Sequence, residues 1–168
     1  MSPLANNEHQ SLAFLLARVV GEVVPMSDGT IFVGCNVSDR MKRWEKNYRC
    51  PDVAAYLKGN PAQDCGTHWF GGPDWLAEIL SEDDESRRKL EFYEKVAVRE
   101  VLLIDRDPWG IELYQRHNEK LVLVGKSTLA EPSELKSFVL PLSFQLSTGI
   151  TRPLVLVKHT DGARQWQV

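Results

Sequence analysis

Residues 73–105, PDWLAEILSEDDESRRKLEFYEKVAVREVLLID, carry the strand, helix and strand pattern that decides the fold. The segment DWLAEIL is short and mostly apolar, which predicts a strand. Ser81 followed by Asp84 is a helix-start signal, so a helix is predicted next. The run EVLLID is nearly all apolar, which is typical of a central strand covered on both faces. This stretch therefore predicts two buried strands joined by a helix.

Further elements are predicted on both sides of this stretch. Residues 6–24 have apolar side chains at helical spacing and predict an amphipathic helix, with Asn7 at its start and His9 on its polar face. The polar, glycine-rich loop at 58–72 is expected to form a mobile flap. The remaining predicted strands are, in chain order, TIFVGCNV, PDVAAYL, IELYQR, KLVLVG, SFVLPLSFQL, PLVLVKH and ARQWQV. This order predicts an α+β fold around a mixed sheet.

Length and composition limit the class of protein. The chain has 168 residues, 43% of them hydrophobic and 26% charged, which predicts one globular domain over residues 1–168. The net charge of −3 argues against wholesale electrostatic wrapping of nucleic acid, so any polyanion site must be a local patch. The sequence has no run of eighteen apolar residues, so no membrane span is predicted. Without a Walker loop or a dinucleotide fingerprint, we expect no organic cofactor.

The cysteines and the first residues bear on the compartment. Cys35, Cys50 and Cys65 form an odd set without a C-x-x-C pair, which suits reduced thiols better than a disulfide framework. The N-terminal residues lack a basic stretch followed by an apolar run, so no secretory signal is predicted. We therefore expect a cytoplasmic protein.

Two carboxylates are the candidate chemical centre. Glu78 stands within the otherwise apolar strand DWLAEIL, where a carboxylate is costly to bury unless it is paired, protonated or metal-bound. Asp52 begins the preceding strand, PDVAAYL. If the two strands are neighbours, Asp52 and Glu78 converge, and paired carboxylates are ligands that Mg²⁺ prefers. We expect Mg²⁺, or Mn²⁺, to bind there.

Lys89 is the third candidate. Tyr93 lies four residues further along the predicted helix and Val96 seven, so Lys89 leaves the helix on its apolar side. A lysine directed at the sheet is suited to work beside a carboxylate pair. It would position or deprotonate an attacking water, or stabilise charge on a phosphate. The predicted catalytic set is therefore Asp52, Glu78 and Lys89.

Four short motifs in order carry a resemblance to a known family: Pro51-Asp52, then residues 73–81, 87–93 and 98–105. In this order the sequence resembles the Uma-type putative restriction endonuclease family of the PD-(D/E)XK nuclease superfamily. The resemblance implies a restriction-endonuclease-like core, a mixed sheet flanked by two helices, here with extra C-terminal strands.

The same resemblance implies a site and a reaction. A metal would be bound by Asp52, Glu78 and the backbone carbonyl of Ile79, and phosphodiester bonds of DNA would be hydrolysed. Glu8 is similar in position to an accessory acidic residue of some superfamily members. The sequence departs from the superfamily pattern at Leu80, where the usual lysine stands, so Lys89 from the following helix would replace it.

A basic segment precedes Asp52 and is the candidate nucleic-acid contact. Its cations surround Trp44 and Tyr48, whose rings offer stacking faces. The candidate residues are Arg40, Lys42, Arg43, Lys46 and Arg49. Because two domains paired symmetrically would address both DNA strands, a homodimer is expected.

Plainer interpretations stay open beside these. Glu78 and Lys89 form a structural ion pair in one of them, and the basic segment is a solvated surface in another. The Cys65 and His68 pair has zinc-ligand types but lacks two further ligands. The alternative function is a non-catalytic nucleic-acid-binding or interaction module that retains the fold, and an enzyme acting on a small phosphate ester is a third possibility.

Overall fold

A computed structural model describes residues 6–80 and 86–168, without the side chains of 86–88. The described chain contains two α-helices, α1 (Asn7–Val23) and α2 (Ser86–Lys95), and three sheets. The strands are β1 (Gly29–Val33), β2 (Val37–Ser38), β3 (Tyr48–Arg49), β4 (Val53–Leu57), β5 (Gln63–Asp64), β6 (Trp69–Phe70), β7 (Trp75–Ile79), β8 (Glu100–Arg106), β9 (Trp109–His117), β10 (Lys120–Thr128), β11 (Leu135–Lys136), β12 (Leu142–Ser147), β13 (Leu154–His159) and β14 (Gln165–Gln167).

The largest sheet has six strands in the order β1-β4-β7-β8-β9-β10. Strands β7 and β8 are parallel, as a strand, helix and strand connection requires, and their neighbours pair antiparallel. The sheet is therefore mixed, and the predicted α+β fold is confirmed. Strands β7 and β8, which flank α2 within residues 73–105, lie at the centre of the sheet. This position explains why neither strand has an exposed side chain.

The two faces of this sheet have different covers. Trp75, Ala77 and Ile79 of β7 face α1, whose buried side chains include Leu12 and Leu16. Each fully buried leucine of this kind contributes about 1.5–3 kcal/mol. The predicted extra C-terminal strands are present, and β11 to β14 form a second sheet that packs against this face.

The opposite face is covered by α2. Leu76 of β7 and Val101 of β8 pack against Phe92, Tyr93 and Val96. Glu78 has the same strand parity as Leu76, so its carboxylate also lies on the α2 side. The alternation predicted for DWLAEIL therefore decides which helix the glutamate meets.

Glu100 joins the six-stranded sheet to the C-terminal sheet. This glutamate begins β8 and has no exposed surface. Its carboxylate accepts hydrogen bonds from the Gln115 side chain at 3.0 Å, the Phe138 amide at 3.0 Å and the Ser137 hydroxyl. Since Ser137 and Phe138 follow β11 directly, these bonds fix the C-terminal sheet to the central one.

Three local predictions are wrong. Asn6, and not Asn7, caps α1, because the Asn6 side chain accepts a hydrogen bond from the His9 amide at 2.9 Å. The segment 58–72, predicted as a loop, contains β5 and β6; β5 pairs with β6, and β6 pairs with β2 in a small sheet. The strand predicted over TIFVGCNV is interrupted at Gly34, which has a φ of +69° and lies between β1 and β2.

The predicted helix start at Ser81 and Asp84 lies outside the described residues, while α2 is described from Ser86. Among the residues the structure describes, neither helix has the length and apolar character needed to cross a bilayer.

The Glu100 hydrogen bonds generate a stability prediction. Replacing Glu100 with alanine leaves three donors without their acceptor, so we expect the free energy of unfolding to fall by about 3 kcal/mol. Urea denaturation measures the change. The exposed Glu91 of α2 supplies a control, since Glu91→Ala is expected to change stability by less than about 0.5 kcal/mol. Equal effects of the two substitutions would contradict this account of Glu100.

Candidate active site

Asp52 and Glu78 lie at the adjacent ends of two paired strands. Strands β4 and β7 are antiparallel, and Val53 is opposite Ala77. Asp52 directly precedes Val53 and Glu78 directly follows Ala77, so the same antiparallel register brings Asp52 opposite Glu78. Opposed residues of an antiparallel pair have their β-carbons about 5 Å apart. The condition set by the sequence, that PDVAAYL and DWLAEIL be neighbouring strands, is met.

Asp52 is held by two elements. Its Oδ2 accepts a hydrogen bond from the backbone N–H of Ile79 at 2.7 Å, and its Oδ1 lies 2.7 Å from Nε2 of His9. Because an ionised carboxylate only accepts, the His9 Nε2 is the donor. The carboxylate is thus fixed by the end of β7 on one side and by α1 on the other.

Glu78 is held by α2. Its Oε2 lies 3.0 Å from Nζ of Lys89, and its Oε1 accepts a hydrogen bond from the Tyr93 hydroxyl. Lys89 and Tyr93 are four residues apart and so share one face of the helix. The orientation predicted for Lys89 from this spacing is the one in the structure, with its ammonium group directed at the sheet.

Burial dominates the electrostatics of this pair. Glu78 is only 2% exposed, and its pKa is raised from the usual 4.5 to about 7, with burial as the largest cause. Lys89 and Tyr93 lower this pKa and the negative charge of Asp52 raises it, but these effects are smaller than that of burial. Burial followed by the charge of Glu78 raises the pKa of Tyr93 well above its usual range, so Tyr93 stays a hydrogen-bond donor.

The donor set fits a hard divalent cation. Two carboxylates at one end of the sheet oppose each other's ionisation, and a cation between them would relieve that repulsion. Each Asp52 oxygen accepts one hydrogen bond and retains capacity for a second interaction. Ile79 ends β7 beside them with a buried side chain. In residues 6–80 and 86–168, no three His, Cys, Asp or Glu side chains form a metal-binding group, so a cation here would need backbone or water ligands.

Glu8, the predicted accessory acidic residue, contacts two arginines. Its carboxylate is 3.0 Å from Arg106 and 3.6 Å from Arg152. The residue of α1 that contacts Asp52 is His9, whose side chain is 12% exposed. The expectation of a polar-face His9 was therefore wrong, because that side of the helix faces the ends of the strands. In the sequence, the only hint that His9 contacts the site is its position next to Glu8.

The basic segment divides into engaged and exposed residues. Arg40 donates to Asp39 at 3.0 Å, while Lys42, Arg43 and Lys46 are exposed. Arg49 lies over the Phe92 ring of α2, with its guanidinium carbon 4.9 Å from the ring centre. Arg49 is therefore the residue of the segment that approaches the α2 side of the site.

Both aromatic residues of the segment contact other rings. Trp44 stacks on His68 with ring centres 5.0 Å apart and contacts Tyr48 edge to face. His68 is buried, and its Nε2 lies 3.2 Å from the carbonyl oxygen of Arg40. These contacts give His68 a structural role in packing the segment.

The fold resembles a solved nuclease structure. The chain superposes with a TM-score of 0.60 on the crystal structure of "a putative nuclease belonging to DUF820" from Anabaena variabilis ATCC 29413. The two proteins share 18% sequence identity, and the match covers 82% of this chain and 75% of the other. At this identity the likeness establishes the class of fold, which is a nuclease fold.

The family follows from the sequence itself. The sequence model of the Uma2 family, described as "Putative restriction endonuclease", matches residues 1–149. The chain belongs to this family, which confirms the resemblance drawn from its motifs. A search of curated proteins finds no match.

The raised pKa of Glu78 generates a prediction for the metal-free protein. Folded Glu78 binds its proton more tightly than unfolded Glu78, so the wild-type protein loses stability as the pH rises from about 4.5 to about 7. A Glu78→Gln variant lacks this loss. Its free energy of unfolding relative to wild type should therefore rise by at most about 3 kcal/mol between about pH 5 and about pH 8. Urea denaturation in EDTA measures the difference, and a difference independent of pH would contradict the assignment.

Proposed function

We propose that this protein is a Mg²⁺-dependent endonuclease that hydrolyses phosphodiester bonds of DNA. One observation carries the proposal: a buried glutamate at the end of a central strand, Glu78, stands opposite Asp52 and 3.0 Å from the ammonium group of Lys89. Carboxylates and an adjacent cation suit phosphodiester hydrolysis, because that reaction develops negative charge on phosphate oxygens. Membership of the Uma2 family supports the same reaction class.

Each residue of the site has a role in this proposal. Asp52, Glu78 and the carbonyl group of Ile79 would hold Mg²⁺, or Mn²⁺ in its place. The bound cation would polarise the phosphate and lower the pKa of an attacking water. Lys89 would stabilise negative charge on the phosphate. The Lys89 side chain is 26% exposed, so a substrate could approach it while it stays beside Glu78.

His9 and Tyr93 would act as positioning residues. His9 fixes the Asp52 carboxylate from α1, and Tyr93 fixes the Glu78 carboxylate from α2. Hydrogen-bond partners of this kind hold metal ligands in one orientation and reduce the cost of binding the ion. In this way the two helices preorganise carboxylates that come from adjacent strands.

The proposal extends to substrate, assembly and compartment. The exposed Lys42, Arg43 and Lys46 would contact the DNA backbone. A homodimer of this single domain, residues 1–168, would let both strands be cut. The cysteines of the described chain are free thiols, which favours a reducing, cytoplasmic compartment.

Metal binding and DNA cleavage test the proposal together. We expect calorimetric titration with Mg²⁺ or Mn²⁺ to show binding, and a plasmid assay to show cleavage that requires the ion. Glu78→Gln and Asp52→Asn should each reduce metal affinity and cleavage by at least about a hundredfold. Glu91→Gln, on the exposed side of α2, is the matched control and should leave both unchanged.

The possible outcomes separate the candidate functions. Metal binding and DNA binding without cleavage would support the non-catalytic module. A wild-type protein that binds neither metal nor DNA would contradict the proposal. Cleavage that survives in both carboxylate variants would place the reaction elsewhere in the molecule.

The positioning role of His9 has its own test. His9→Ala removes a hydrogen bond from Asp52 and should weaken Mg²⁺ binding about tenfold. In His9→Gln the amide nitrogen can replace Nε2, so this variant should recover most of the affinity. Calorimetry measures both, with thermal unfolding as a check on folding. If the alanine and glutamine variants bind Mg²⁺ equally well, His9 does not position Asp52.

A further inference from the structure

Two arginines from different parts of the chain converge on one glutamate. The Glu8 carboxylate lies 3.0 Å from the guanidinium of Arg106, at the end of β8, and 3.6 Å from that of Arg152. Arg152 lies between β12 and β13 and extends over the Trp109 ring, at 5.7 Å. Counting only the residues that the structure describes, the cluster has two positive charges and one negative charge.

This cluster adjoins the candidate active site through two backbone connections. Glu8 directly precedes His9, whose ring contacts Asp52. The Arg106 Nε donates to the carbonyl of Leu80 at 3.2 Å, and Leu80 directly follows Ile79, whose amide also contacts Asp52. Consecutive α-carbons are about 3.8 Å apart. Because each connection runs through neighbouring residues, the two arginines lie close to the carboxylate pair.

We propose that Arg106 and Arg152 bind a backbone phosphate of the substrate next to the scissile one, in the place that the Glu8 carboxylate occupies without substrate. This inference rests on the proposed nuclease function and deepens it. Guanidinium groups bind phosphate and carboxylate oxygens with the same geometry, so Glu8 imitates the phosphate. Each DNA strand has a phosphate about every 3.4 Å along the helix axis, so a neighbouring phosphate can reach this cluster while another occupies the active site.

The exposure of the three side chains supports an exchange of partners. Glu8 is 37% exposed and Arg152 is 28% exposed, so phosphate can approach and the glutamate can turn into solvent. Arg106 is 11% exposed and is further anchored by Asn6 at 3.0 Å. Arg106 would therefore be the fixed half of the site, and Arg152 the half that adjusts.

The first test removes Arg152 and measures DNA binding without cleavage. A fluorescein-labelled DNA duplex is titrated with full-length protein in EDTA over a range of NaCl concentrations. We expect Arg152→Ala to bind about tenfold more weakly and to reduce the slope of log K against log salt by roughly 1. The matched control is Arg164→Ala, because Arg164 also lies over a tryptophan, Trp166, at 5.5 Å. This control should bind like wild type.

The second test separates two roles for Glu8. If Glu8 competes with phosphate, Glu8→Gln strengthens DNA binding in EDTA several-fold and retains cleavage in Mg²⁺. If Glu8 is instead an accessory metal ligand, Glu8→Gln abolishes cleavage and leaves binding in EDTA unchanged. Thermal unfolding checks that α1 remains docked in each variant.

The outcomes distinguish failure of this inference from failure of the proposed function. A wild-type protein that binds no DNA overturns both. A wild-type protein that binds and cleaves DNA, with Arg152→Ala equal to Arg164→Ala, overturns the phosphate site alone. Weaker binding by Glu8→Gln than by wild type also overturns it.

Discussion

The carboxylate of Glu78 is buried in a central strand, and much of the architecture meets the requirement this creates. A charge in that position is unfavourable without partners, since the pKa of Glu78 rises to about 7 even with them. Lys89 and Tyr93 supply the partners from α2, so this helix must lie over β7 where both side chains reach Glu78. The packing of Leu76 and Val101 against Phe92 and Val96 keeps it there.

The other half of the site depends on the opposite face of the sheet. Asp52 is held by α1 through His9 and by the Ile79 amide at the end of β7. Each carboxylate is therefore held by a different helix, and the sheet fixes the positions of the two helices relative to each other. This arrangement preorganises two negative charges that repel each other, which is the arrangement a divalent cation would stabilise.

Glu8 and His9 show how an adjacent pair can serve two purposes. Helix α1 turns about 100° per residue, so neighbouring side chains point to different surroundings. His9 turns to Asp52, while Glu8 turns to Arg106 and Arg152. The family match establishes the class of protein, but it does not distinguish these two positions, and the contacts assign them different work.

The sequence by itself determined the features that depend on local periodicity. The alternation of DWLAEIL determined which side chains share a face with Glu78, and the four-residue spacing of Lys89 and Tyr93 determined that both leave the helix on the same side. The α+β fold and the family could be read from the same elements. Tertiary structure decided what depends on distant partners. His9 meets Asp52 across 43 residues and Arg106 meets Glu8 across 98, while β6 pairs with the distant β2 and β5 pairs with β6. The physical reason is that periodicity tells which way a side chain points, whereas its partner is chosen by how the helices and sheets pack.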